Sequence, residues 1–119
     1  MINLQYNQQE DILTWEFKDS VNTADILESF ELIAKYSETK KRLRIYCDAL
    51  NYKLEIKQSE LIEINKKALL YIPLFESFRL SVAVNNPKAT AFFMLIFMTL
   101  KPTLFTAKVF STESAAKNG

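Results

Sequence analysis

The sequence contains no histidine, one glycine and one cysteine among its 119 residues. Without histidine, the chain cannot build a Ser-His-Asp or Cys-His catalytic arrangement or a histidine metal site. The glycine is Gly119, which excludes the glycine-rich loops that cradle phosphates in nucleotide-binding proteins. One cysteine, Cys47, cannot form an intrachain disulfide or a structural zinc site. We therefore expect a protein that is not an enzyme and holds no cofactor or metal.

Long apolar segments and an excess of one charge are missing as well. The longest apolar run covers residues 91–100, and ten helical residues reach about 15 Å, half of a hydrocarbon core of about 30 Å. The first residues are polar and lack the apolar stretch of a signal peptide. The net charge is +1, whereas nucleic-acid binders usually carry a clear basic excess. We expect a cytoplasmic protein without a transmembrane segment or a nucleic-acid partner.

Hydrophobic periodicity predicts a single α/β domain over residues 1–119. Two alternating segments at the N-terminus predict an antiparallel hairpin, and three helix-period segments are each followed by an apolar strand. This order predicts a mixed sheet of about five strands, mainly parallel after the hairpin, with about four helices. The predicted strands are 2–6, 12–18, 43–47, 79–84 and 104–110, and the predicted helices are 23–37, 59–72, 87–100 and 113–117. The predicted helix caps are Asn22 or Thr23, Ser59, Asn86 and Thr112.

Polar residues and the lone cysteine follow the ends of two predicted strands. Because ligands of open α/β sheets bind beyond the carboxyl ends of parallel strands, these residues are candidates for a pocket. The simpler interpretation is that the carboxylate and amides cap local turns and that the thiol is a small buried apolar group. An enzyme that uses Asp48 or Cys47 is a third, weaker hypothesis. The candidate pocket residues are Cys47, Asp48, Asn51, Asn85 and Asn86.

A short basic cluster stands at the start of the third predicted strand. Lys40, Lys41, Arg42 and Arg44 lie within five residues of one another. Such a cluster can meet an anionic lipid or a phosphate. The interpretation that we favour from the sequence is a solvated loop that leads into the strand.

The third predicted helix is apolar on more than one side. One face, which includes Phe93 and Ile96, is enough to pack on a sheet. The opposite face consists of Ala91, Met94, Leu95 and Met98, where a surface helix normally carries polar residues. Leaving a Leu or Met exposed forgoes roughly 1.5–3 kcal/mol per side chain, so something should cover this face. The candidates are a second copy of the chain, another part of the same chain, and an apolar ligand or membrane.

Three segments of the chain resemble the SpoIIAA-like proteins, relatives of the STAS domain. These segments are LRIYCDALNY (43–52), FRLSVAVNNPKATAFF (78–93) and AKVFSTESAAK (107–117). In that family, an apolar strand ends in Asp, a later strand precedes an Asn/Asp-rich turn and a helix, and a third motif closes the chain. The residues that fall on these positions are Asp48, Val82 to Val84, Asn85, Asn86, Phe110, Thr112 and Ala115. The resemblance implies a SpoIIAA-like mixed sheet flanked by helices and a non-enzymatic role in regulation, protein contact or the binding of small molecules and lipids.

The chain departs from the family at one functional motif. Anti-sigma-factor antagonists carry an Asp-Ser-x-Gly phosphorylation loop, and the corresponding residues 55–61 (EIKQSEL) contain neither Asp-Ser nor Gly. Ser59 is available there, but we assign it to the helix cap. We therefore predict a binding or regulatory domain that acts through protein–protein contact as a homodimer, without that phosphorylation switch. The alternative prediction is a carrier of a small apolar ligand or lipid.

Overall fold

The N-terminal hairpin is antiparallel, as the alternation predicts. In the structure, a computed structural model that describes residues 1–99 and 105–118, β1 (Ile2–Asn7) pairs with β2 (Ile12–Phe17). The register places Ile2 opposite Phe17 and Asn7 opposite Ile12. Asp11 takes a positive φ of 54° in the connecting turn, a conformation that Asp tolerates better than most residues.

The rest of the chain alternates between strands and helices. Strands β2, β4, β6 and β7 run parallel, and the order across the main sheet is β1-β2-β4-β6-β7. The prediction of a five-stranded mixed sheet with four α-helices is therefore confirmed. The predicted ends at Leu100 and Leu104 lie outside the described residues. The elements after the hairpin are β3 (Asp19–Asn22), α1 (Thr23–Ala34), β4 (Arg42–Ala49), β5 (Tyr52–Glu55), α2 (Leu61–Tyr71), β6 (Ser77–Val84), α3 (Pro87–Thr99), β7 (Phe105–Phe110) and α4 (Glu113–Asn118).

A second, two-stranded sheet was not predicted from the sequence. Strands β3 and β5 pair in parallel, with Val21 opposite Leu54. Each strand is four residues long and buries one apolar side chain, Val21 in β3 and Leu54 in β5. Four residues with one buried apolar position are too short for a recognisable alternation, so neither strand is among those predicted from the sequence.

Side-chain caps fix where most helices begin. Asn22 caps α1, because its side chain accepts a hydrogen bond from the N–H of Asp25, whose carboxylate accepts one from the N–H of Asn22. The predicted cap of α4 is confirmed, since Thr112 Oγ1 accepts from the N–H of Ala115 at 3.1 Å. The prediction for Ser59 is wrong. It lies inside a 3-10 turn before α2, where Glu60 instead accepts from the N–H of Lys57 at 3.0 Å.

Three helices cover one face of the main sheet. The buried residues of β2, β4 and β6 alternate along each strand and pack against α1, α2 and α3 in one cluster. Trp15 shows how polar groups are accommodated there: its Nε1 donates to Ser29 Oγ at 2.9 Å, and that hydroxyl donates to the carbonyl of Asp25 at 2.8 Å. Among residues 1–99 and 105–118, only α4 covers the opposite face, through a small cluster of Ile12, Tyr46, Ala83 and Ala116. The sheet therefore has a helix-covered face and an open face.

Candidate functional site

Helix α3 exposes the apolar side that the sequence singled out. Ala91, Met94, Leu95 and Met98 are all exposed, and Met98 is the extreme case at 75%. The opposite side of the helix packs on the sheet, where Ala89, Phe92, Phe93 and Ile96 are buried. Within residues 1–99 and 105–118, no other part of the chain buries the four outer residues.

Helix α2 and the 3-10 turn after it extend this exposed apolar area. Ile64 and Ala68 hold α2 on the sheet, while other positions of the helix direct large apolar groups to solvent. Helices α2 and α3 contact each other, so their exposed side chains belong to one region of the molecule. We call this region the apolar surface. It consists of Ile62, Leu69, Leu70, Leu74, Ala91, Met94, Leu95 and Met98.

A groove lies along one side of the apolar surface. Its walls come from the segment between β5 and α2 and from α3, and Lys88 Nζ closes one part by donating to the carbonyl of Leu54 at 3.2 Å. The groove has a volume of about 160 Å³. Its lining is apolar apart from two lysines and a glutamine, which are Lys57, Lys88 and Gln58; the apolar residues are Leu54, Ile56, Leu61, Ala91, Phe92 and Leu95.

The interior between the helices and the sheet leaves little room for a ligand. Its cavity has a volume of about 30 Å³ and is lined only by apolar and aromatic side chains, including Trp15, Ile64 and Phe93. Ligand pockets for drug-sized molecules have volumes of roughly 300–1,000 Å³. A fatty acid bound by this conformation would therefore have to lie in a surface groove and not in the core.

Cys47 and Asp48 are neighbours in sequence but lie on opposite faces of the sheet. Cys47 is fully buried beneath the helices, and this burial raises the pKa of its thiol well above the ordinary value. A buried neutral thiol is a poor nucleophile. Asp48 faces the other side and is partly exposed, and its Oδ1 accepts a hydrogen bond from the N–H of Leu50 at 3.3 Å. The two groups therefore cannot act on one substrate atom.

The three asparagines of the predicted strand-end pocket lie at the same edge as Asp48. Ala49 is paired with Val84 in adjacent strands, which brings the turns that follow β4 and β6 side by side. Asn86 caps α3, since its Oδ1 accepts from the N–H of Ala89 at 2.8 Å. Asn51 and Asn85 are exposed. The hydrogen bonds of Asp48 and Asn86 stay within their own turns, as the simpler interpretation proposed.

Metal binding and membrane spanning find no support in the part of the chain that the structure describes. Among those residues, no three Cys, Asp or Glu side chains are grouped in a way that could hold a metal ion. None of the described helices is both long and apolar enough to cross a bilayer.

The open face of the sheet carries residues that our sequence analysis did not identify as a group. Arg44 on β4 and Arg79 on β6 are direct neighbours across the strand pair, and Arg42 lies two residues before Arg44 on the same face. We interpreted the basic cluster that includes Arg42 and Arg44 as a solvated loop leading into the strand 43–47, and we did not single out Arg79. The signal was the period of two in both strands, where arginine and serine alternate with buried apolar residues.

Comparison with known proteins identifies the fold. No family model matches the chain, and no curated protein matches it either. A solved structure similar to this chain covers 99% of it and 90% of its own length, with a TM-score of 0.65 and 12% sequence identity. It is the crystal structure of an uncharacterised protein from the DUF3478 family, with a SpoIIAA-like fold, from Shewanella loihica PV-4. The chain therefore has a SpoIIAA-like α/β fold.

Proposed function

We propose that the protein is a non-enzymatic binding domain that pairs with a second copy of itself through the apolar surface. The observation that carries this proposal is the exposure of seven large apolar side chains on α2, α3 and the intervening turn, each at 45% or more. Scattered exposed apolar residues are normal on a soluble protein, but seven large ones on two helices that contact each other favour an interaction site.

The area of the apolar surface fits a protein partner. At roughly 100 Å² each, seven such side chains expose on the order of 700 Å² in total, an amount of apolar area that marks interaction sites when it is grouped. A standard interface buries about 800 Å² on each partner. Methionine side chains also adapt to a partner surface more readily than branched ones, and α3 contributes Met94 and Met98.

A second copy is the partner that we favour. The chain carries a net charge of +1, so two copies repel each other little. Pairing about a twofold axis needs only one self-complementary patch, and most soluble oligomers are closed homo-oligomers of this kind. The surface lies on two helices that are anchored to the sheet by buried residues such as Ile64 and Phe93, so pairing needs no rearrangement of the core.

Catalysis is not part of this proposal. The sequence lacks histidine and internal glycine, and the single thiol is buried with a raised pKa. The Asp-Ser-x-Gly phosphorylation motif is absent from residues 55–61. We therefore propose that any regulation operates through the contact itself, and not through phosphorylation of a serine at that position.

Light scattering and sedimentation velocity at tens of micromolar test the pairing. We expect the mass of a dimer for the natural chain. The double variant Leu95→Lys, Met98→Lys should be monomeric, with dimerisation weakened by roughly 100-fold or more, because each lysine would place a charge in the apolar contact. A matched control is Asn3→Lys, Gln5→Lys, which adds the same two charges to exposed positions of β1 on the open face and should remain dimeric.

The folded state of each variant is checked by circular dichroism and urea unfolding. Both positions in the double variant are exposed, so the fold should persist. A strict monomer for the natural chain, or a double variant that stays dimeric, contradicts the proposal.

A small amphipathic ligand is the second candidate function, and the groove beside α3 is the observation that favours it. An apolar channel with Lys57 and Lys88 among its lining residues suits an acyl chain with an anionic head. Native mass spectrometry of the purified protein separates the two functions. A mass increment of a few hundred daltons on a monomer supports the carrier, whereas an unmodified dimer supports self-association.

A further inference from the structure

The open face of the sheet concentrates positive charge. Arg44 and Arg79 are opposite each other on adjacent parallel strands, and Arg42 and Lys108 lie on the same face near them. All four side chains are exposed. Like charges directly opposite each other across a strand pair destabilise a sheet, so this arrangement calls for a compensating contact.

The protein itself supplies little compensation. Among the described residues, Arg42, Arg79 and Lys108 form no hydrogen bond or ion pair with a side chain. Arg44 alone has a partner, because it donates to the carbonyl of Lys117 at 2.9 Å.

The carboxylates at the rim of this cluster are already engaged or lie on loops. Asp11 is paired with Lys40, and Glu76 lies 4.0 Å from Lys41. Glu10 stands in the turn between β1 and β2. The arginines occupy the strands that form the floor of the depression, so their guanidinium groups keep free donors for a ligand.

Hydroxyl groups lie among these cations. The strand register places Ser77 beside Arg42, Thr106 beside Arg79, and Ser81 beside Lys108. The lower part of this area is a depression of about 610 Å³ that is lined by Arg42, Arg44, Ser77, Arg79 and the rim carboxylates. Planar guanidinium forks with nearby hydroxyl donors match the oxygens of a phosphate group.

The architecture of the sheet indicates that a ligand or partner binds on its open face. Parallel strands are nearly always covered on both faces, yet in the described structure only the six-residue helix α4 packs on this face of the sheet. Single-stranded nucleic acid is disfavoured as the occupant, because such binders stack bases on exposed aromatic rings, and the central Tyr46 is buried beneath α4. The acidic rim also repels a long polyanion.

We infer that the basic open face binds a small ligand that carries a phosphate monoester, held by Arg42, Arg44 and Arg79 with Ser77 as a hydroxyl donor. This site is separate from the apolar surface and does not depend on dimerisation. Its ligand would cover the part of the sheet that α4 leaves open.

Nuclear magnetic resonance titration with inorganic phosphate and with glycerol 3-phosphate, at constant ionic strength set with chloride, tests the site. We expect saturable shifts of the backbone amides at 42–44 and 77–79, with a dissociation constant on the order of 1 mM or tighter. Arg79→Gln should weaken binding about tenfold, because it removes a charge-assisted donor. Lys53→Gln removes one exposed charge from β5 and should leave binding unchanged.

Among the described residues Arg79 has no side-chain partner, and Arg79→Gln removes one of two like charges that face each other across β4 and β6. The variant should therefore unfold in urea at the midpoint of the natural chain or at a slightly higher one. Equal affinity in Arg79→Gln and the natural chain, or shifts confined to other surfaces, overturns the site. A lipid source of the phosphate is tested by sedimentation with phosphatidic acid vesicles. Binding to those vesicles without binding of glycerol 3-phosphate overturns the small-ligand proposal.

Discussion

The two faces of the central sheet are formed by the same strands but differ in the burial and polarity of their side chains. On the helix-covered face, Leu13, Ile45 and Val82 are at most 1% exposed and pack beneath three helices. On the open face, their immediate neighbours in sequence, Thr14, Arg44 and Ser81, are polar. The period of two along a strand sends successive side chains to these two environments.

The two faces differ in what they contribute: the helix-covered face stabilises the fold, and the open face leaves side chains available for binding. The covered face holds the large apolar cluster, from which most of the folding free energy comes. The open face contributes only the small cluster under α4 and leaves polar groups exposed. An exposed residue on the open face, outside the cluster under α4, can therefore change with little effect on folding, which is the freedom that a binding surface requires.

The sharpest way to test this contrast is a pair of substitutions on one strand. Ile45→Ala should lower the free energy of unfolding by about 2–5 kcal/mol, because it opens a cavity beneath the helices. Arg42→Ala, in phosphate-free buffer, should change it by less than about 0.5 kcal/mol, because the side chain is exposed and has no partner among the described residues. Urea unfolding followed by circular dichroism measures both values. Equal losses would show that the open face is part of the core.

A smaller difference in the free energy of unfolding is expected between substitutions of two serines, one in the core and one on the open face. Ser29→Ala should cost about 1–3 kcal/mol, because it leaves the buried Nε1–H of Trp15 without an acceptor. Ser81→Ala on the open face should stay within about 0.5 kcal/mol. Urea unfolding again reports the difference, and tryptophan fluorescence shows whether the environment of Trp15 changes. No loss in Ser29→Ala would mean that the indole finds another acceptor.

The smallest expected change in stability comes from the ion pair between Asp11 and Lys40 at the rim of the open face. Hydrogen bonding to Lys40 lowers the pKa of Asp11 below its ordinary 3.8, and the same bond raises the pKa of Lys40 above 10.5. A lowered folded pKa gives stabilisation that is present above the unfolded value and lost as pH falls through the folded one. The contribution of Lys40 is lost at the other end, as pH rises through its raised folded pKa.

Asp11→Asn measures this contribution. The variant should be slightly less stable than the natural chain near about pH 7, and the difference should shrink as pH falls through the folded pKa of Asp11, which lies below 3.8. Asp11 is exposed and Lys40 is half-buried, so solvent screens the pair and the difference should be smaller than in either comparison above. Urea unfolding as a function of pH provides the curves. A difference that persisted in acid would assign the effect to the turn conformation of Asp11 and not to its charge.

Much of the fold could be predicted because its signals are local. The alternation of β2, the capping residues Asn86 and Thr112, and the apolar outer side of α3 were all visible in the sequence. The pairing of β3 with β5 could not be predicted, because each strand carries one buried apolar residue and acquires its partner only when distant segments meet. Ser59 was misassigned because a 3-10 turn placed Glu60 where its carboxylate could accept the bond.

The sequence by itself determined the class of the fold, since the order and period of its apolar residues admit few arrangements other than a hairpin followed by β/α units. It also excluded histidine chemistry and glycine-rich phosphate loops, because those depend only on which residues are present. The tertiary structure alone decided which side chains share a surface. Arg42, Arg44 and Arg79 come together because two strands 35 residues apart align in register, as the pairing of Arg44 with Arg79 records. Such pairing results from packing between distant segments, which local periodicity does not encode.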